Sequence, residues 1–208
     1  IDMFRFMGLK VPYIKRLHEV ANSQLGSYLT YNVSISFDEP DKIKDPIIMK
    51  NFDALVDTIG AFELTKKNAT ASTVFSILDI IKDMNQTLHG DSASYYRVPD
   101  SREMIAQLLF LYEMSGGTKT FRWIDEDYSM LRAQVRIYKF SANQIVHELN
   151  AIRRIGNESL PGATIDIVGS AVQFAELNKK IVTGELKSLG ASLLTIAVLL
   201  IIVFGSLK

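Results

Sequence analysis

From Ser188 to Leu207 the chain carries no charged residue, and Lys187 and Lys208 close the two ends of that stretch. No other feature limits the fold as strongly. Twenty helical residues at about 1.5 Å each reach roughly 30 Å, the thickness of the hydrocarbon core of a bilayer. Twelve residues of Leu189–Leu207 are Leu, Ile, Val or Phe. At about −0.3 to −0.6 kcal/mol each on an insertion scale, they contribute on the order of −5 kcal/mol. Gly190, Ser192, Thr195, Gly205 and Ser206 erode that sum without reversing it. A buried core helix is the competing reading, but such helices seldom stay apolar on every face for this long. A transmembrane helix over 185–208 is therefore expected, and its C-terminal position excludes a signal peptide. Lys208 is the one charge beyond the span, and the preference for positive charge inside puts it in the cytoplasm. Residues 1–187 then belong on the extracytoplasmic (periplasmic) side of the inner membrane.

The rest of the chain has the make-up of a globular domain. With 48% apolar and 22% charged residues, it can bury one good-sized core within its 208 residues. Lys plus Arg and Asp plus Glu total 23 each. A neutral balance offers no field for collecting nucleic acid, and no basic run interleaved with aromatics is present. The absence of cysteine rules out disulfides and thiolate-bound metal. No charged-then-apolar leader follows Ile1, so the chain reads as a piece of a longer protein.

Hydrophobic periodicity then assigns the elements. Val11–Leu25 reads as a helix with Pro12 in its first turn and Gly26 after its end. Leu29–Phe37 alternates strictly, with Leu29, Tyr31, Val33, Ile35 and Phe37 on one face, as a half-buried strand does. A helix follows from Pro46, with Phe52, Leu55, Val56 and Ile59 at helical spacing, and Phe62–Lys66 reads as a short strand. Ser72 is placed to cap a helix Thr73–His89 ended by Gly90. Asp100 and Glu103 form a capping-box-like pair before a helix Met104–Met114, which Gly116-Gly117 stops. Ser129–Tyr138 is a second long strand, Ser141 caps a helix carrying Ile145, Leu149 and Ile152, and Ala163–Val168 is a third. Gly169 opens a last helix, Ser170–Thr183. The order is strand–helix–strand, two inserted helices at about 72–117, then strand–helix–strand. Two split βαβ units of this kind predict an α+β, ferredoxin-like sheet with helices on one face.

The motifs of chemistry are mostly missing. His18, His89 and His147 are far apart, each on a predicted helix, and none has a metal-binding spacing. No GxSxG elbow occurs, and Gly116-Gly117-Thr118-Lys119 follows a helix rather than a strand, so it is a helix stop and not a phosphate loop. The acidic trio Asp125, Glu126, Asp127 lacks the longer ligand pattern of an EF-hand and reads as a solvated loop. Asn32, Asn68, Asn85 and Asn157 begin N-x-[ST] triplets, of which Asn32 falls in a strand and Asn85 in a helix. The one group worth weighing is aromatic: Tyr95, Tyr96, Phe110, Tyr112, Phe121 and Trp123 cluster in sequence around the inserted helices. They are able to line a path for an amphipathic ligand, although core packing explains the same residues and is the reading the sequence favours. No catalytic, cofactor or metal residue is assigned.

The run Tyr95-Tyr96-Arg97-x-Pro99, then Leu108-Leu109-Phe110-Leu111-Tyr112-Glu113-x-Ser115-Gly116-Gly117, then Asp125-x-Asp127-Tyr128, resembles the RND superfamily of exporters, in its MmpL-like and hopanoid-exporter-like branch. Phe174-Ala175-Glu176-Leu177-Asn178 and Gly184-Glu185-Leu186-Lys187-Ser188-Leu189, leading to Phe204-x-Ser206-Leu207-Lys208, is similar to that family's approach to its second transmembrane helix. The likeness runs from about Pro12 onward, and it is the order and spacing of the motifs that make it specific. It implies a porter domain between the first two membrane helices of a two-halved, proton-driven exporter of lipids or other hydrophobic molecules. The energy-coupling charges of such a transporter would lie outside this chain. The implied partners are the lipid bilayer, the rest of the transporter with its second porter domain, and a hydrophobic substrate; a homo-oligomer is compatible with this.

The expected organisation is a helical lead-in over 1–27, a porter domain over 28–184 and a membrane helix over 185–208. Only four residues, Gly184–Lys187, separate the last helix of the domain from the uncharged span, with no proline and no polar run among them. A continuous helix through a joint at Gly184 is therefore expected. A membrane-anchored sensor or assembly domain that binds a protein partner is the alternative function, and a tethered hydrolase is disfavoured by the missing constellations.

Overall fold

The computed structural model describes residues 11–23, 26–66, 73–116, 122–139 and 141–205. The elements in chain order are α1 (Pro12–Asn22), β1 (Leu29–Ser36), α2 (Pro46–Gly60), β2 (Val74–Ser76), α3 (Ile77–Leu88), α4 (Arg102–Gly116), β3 (Met130–Ile137), α5 (Ala142–Ser159), β4 (Thr164–Val168) and α6 (Ser170–Phe204). Ser72, Asn68, Gly117, Phe121 and the end of the span at Leu207–Lys208 lie outside the described residues.

The four strands form one sheet in the order β2-β3-β1-β4, every neighbouring pair antiparallel. The first strand sits between the third and the fourth, the arrangement that two interleaved split βαβ units produce. Strict alternation in β1 and β3 decides the faces. Tyr31, Val33 and Ile35 pair with Val135, Ala133 and Leu131, and all six side chains are buried. Their neighbours Thr30, Asn32, Ser34, Arg132, Gln134 and Arg136 stay half-exposed on the other face. Helices α2 and α5 pack side by side over the apolar face, supplying Met49, Phe52, Leu55 and Ile59 from one and Ile145, Leu149 and Ile152 from the other. Asn51 Nδ2 donates to the carbonyl of Ser159 at 2.8 Å across that helix pair.

Several local expectations need correction. Phe62–Lys66 is a turn: the amides of Thr65 and Lys66 both donate to the carbonyl of Phe62, and Phe62 donates to Ile59. The edge strand is Val74–Ser76 instead, cut from what reads in sequence as the first turn of a helix. Ser76 is the cap of α3: the Leu78 amide donates to its Oγ and its own amide donates to Asp79 Oδ2, both at 3.2 Å. The cap of α4 is Ser101, which accepts from the Met104 amide at 3.1 Å, while Asp100 is drawn into ion pairs with Lys50 and Arg97.

The C-terminal helix is unbroken. Helix α6 runs 35 residues from Ser170 to Phe204. Among the described residues it is the one helix long and apolar enough to cross a membrane, and its most apolar 18-residue window has a mean hydropathy of 2.3 with none of it buried in the protein.

Candidate functional site

The aromatic residues are placed by three different elements. Tyr95 lies in the single 3-10 turn Ala93–Tyr95 between α3 and α4, where its ring stacks on His89 at 3.8 Å. Tyr96 follows it, 46% exposed, with Lys82 Nζ 5.9 Å from its ring centre. Both are held by Asn85, whose buried Nδ2 donates to the carbonyls of Tyr95 at 2.8 Å and Arg97 at 3.0 Å. The amide of an apparent glycosylation triplet is thus a latch for this loop. Phe110 stands 58% exposed on the outer side of α4 beside Leu111 and Met114, whereas Tyr112 turns inward and packs half-buried against the core. Trp123 also packs on the core, with the Arg122 guanidinium 5.2 Å above its ring. Among the described residues no ring contact joins any two of these five. They border the α3–α4 layer without closing into one wall.

The residues after α4 have structural partners that sequence reasoning did not find. Tyr128 takes a left-handed conformation (φ 53°). Its hydroxyl donates to Glu113 Oε1 at 2.7 Å, and Lys44 Nζ sits 3.5 Å over its ring. Burial, the hydrogen bond to Glu113 and the nearby negative charges push the Tyr128 hydroxyl up to about 12. Asp125 accepts from the amides of Ser129 at 2.7 Å and Met130 at 2.8 Å, which spends its carboxylate on the turn into β3. Asp41 and Ile43 donate to the carbonyls of Asp127 and Tyr128. Glu113, Asp125, Asp127 and Tyr128 therefore lock α4 and the 41–45 loop to the entry of β3.

The stem of α6 forms the other notable region. Ala171 and Ala175 are buried, Val172 and Phe174 pack on the core, and α5 lies alongside. A cavity of about 390 Å³ opens between the start of α5 and α6, lined by Ala142, Asn143, Val146, Asn178, Lys179 and Val182 among others. Gly184 lies past this contact, on a stretch of α6 where a side chain added at its position would meet nothing within 4 Å. Leu177 and Ile181, on the same stem, remain exposed.

No curated protein matches the chain. The family model described as "MMPL family" matches residues 65–208, well over half of the sequence. The match begins in the turn after α2 and takes in β2, both inserted helices, β3, α5, β4 and α6. With an α+β domain joined to one apolar membrane helix, the chain belongs to the MMPL family of RND-type membrane transporters.

Proposed function

We propose that the chain is an extracytoplasmic porter domain with its following membrane helix, handling lipids or other hydrophobic molecules for a proton-driven exporter. The observation that carries this reading is the continuity of α6, one helix rooted in the sheet and running without a break into the uncharged span. A tilt of that helix in the membrane moves the domain with it, because an intact backbone hydrogen-bond ladder leaves no hinge between them. In this reading the domain performs no covalent chemistry. It guides an amphipathic substrate along the aromatic border made by Tyr95, Tyr96, Phe110, Tyr112 and Trp123, whose rings suit acyl chains.

The test uses the intact transporter in proteoliposomes carrying a photoactivatable phospholipid. Under an imposed proton gradient, export of the lipid and crosslinks at the Tyr95–Tyr96 loop and Tyr112 are expected. Crosslinks confined to the membrane span of α6, or lipid movement that ignores the gradient, would refute the proposal.

A further inference from the structure

We infer that Gly169 and Ser170 are the joint that bolts the membrane helix to the sheet, as positioning residues that set the angle at which α6 leaves the domain. Strand β4 ends at Val168, opposite Asn32 of β1. The next outward-facing position on that edge of β1 is Thr30, and no strand residue remains to pair with it. Ser170 fills the gap. Its hydroxyl accepts from the Thr30 amide at 3.1 Å and donates to the Thr30 carbonyl at 3.1 Å, so one side chain supplies both bonds of a missing ladder pair. The helix thus begins inside the hydrogen-bond pattern of the sheet.

Gly169 makes this geometry attainable. Its φ of 147° belongs to the region that favours glycine, and an added Cβ would stand 2.6 Å from Tyr31 Cα and 2.7 Å from the Thr30 carbonyl oxygen. Those are backbone atoms, which no rotamer change can move aside. The close approach lets Ala171 and Ala175 bury against the domain directly after the turn. By contrast a side chain added at Gly184 would meet nothing within 4 Å, so rigidity there comes from the helix alone, whereas at 169–170 it comes from the sheet. The consequence of this joint for transport rests on the function proposed above; the joint itself does not.

Because the chain contains no cysteine, spin labels at Asp166→Cys on β4 and Lys187→Cys on α6 report the angle between sheet and helix in the full chain in nanodiscs. A single narrow distance distribution is expected. Ser170→Ala should at least double its width and speed amide exchange at Thr30 about tenfold, the loss expected for one hydrogen bond. Ser170→Thr, which keeps the hydroxyl, should restore both. An unchanged width in Ser170→Ala, or equal broadening in Ser170→Thr, overturns the inference. In the intact transporter, Ser170→Ala should also slow export. Broadened distances with undiminished export would uphold the joint and overturn the rigid-coupling reading of function.

Discussion

Glu148 lies on the inner side of α5, 5% exposed, and its proton affinity responds to that burial. Desolvation raises its pKa, helped by the charge of Glu63, against the hydrogen bonds from Gln144 at 3.1 Å and the Leu64 amide at 3.3 Å and the nearby His147. Tyr31, buried in the same region, is pushed up by its own burial and then by the Glu148 charge. A carboxyl whose folded pKa lies above its unfolded value favours folding in its protonated form. The stability it contributes is complete below the unfolded value of 4.5 and is lost as pH rises through the raised folded value. Glu148→Gln keeps acceptor capacity without the charge. Its melting temperature at pH 7 should exceed that of the wild type by about 2–4 °C for each 1 kcal/mol recovered. The gap should close on acidification, while Asp53 and Asp79, also raised by burial, give both proteins a common background slope. A melting-temperature difference that stays constant from neutral to acid pH would count against this account.

At the scale of elements, burial is concentrated where the two split units interleave. Phe52 of α2 is fully buried against the sheet, and Ile47, five residues earlier on the opposite face, is 67% exposed. Phe52→Ala should cost about 3–5 kcal/mol in urea unfolding. Ile47→Ala should fall within about 0.5 kcal/mol of wild type. Equal effects of the two would mean that the α2–sheet contact is not the seat of stability. The long strands were readable because alternation over eight residues admits one register only: a slip by one would turn Tyr31, Val33 and Ile35 out to solvent. The short edge strand was not readable. Val74–Ser76 has three residues, too few for a period, and its apolar Val74 also fits a helical stripe with Ile77, Leu78 and Ile81. Phe62 and Leu64 have the alternation of a strand and both reach the core, yet the backbone there closes turns upon itself.

For the whole molecule, the function proposed above requires that α6, a single helix from Ser170 to Phe204, stay helical through Gly184. Gly184→Ala should preserve export in the intact transporter and gain up to about 1 kcal/mol of helix stability. Gly184→Pro removes a helical hydrogen bond and clashes with the preceding turn, at about 3 kcal/mol or more, and kinks the rod. Impaired export with normal expression and an unchanged domain fold is the expected result. Wild-type export by the proline variant would show that the domain moves by another route.

Sequence alone determined the long apolar C-terminal helix, the two long strands and their buried faces, the helices α2 and α5, and the uninterrupted run of α6 from the domain into the uncharged stretch. Each of these is a local property: the length of an uncharged run, or a period repeated often enough to be unambiguous. The resemblance of the loop and helix motifs pointed to the transporter family that the match over residues 65–208 supports. The tertiary structure alone decided which serine caps α3, where the edge strand lies, and that Asn85, Asp125 and Tyr128 are spent on holding loops. It alone shows the aromatic residues distributed among separate elements, and places the root of the membrane helix at Thr30, 140 residues away from Ser170 along the chain. Hydrogen bonds of that kind leave no pattern in a sequence, because they depend on which distant backbone groups the folded sheet leaves unpaired.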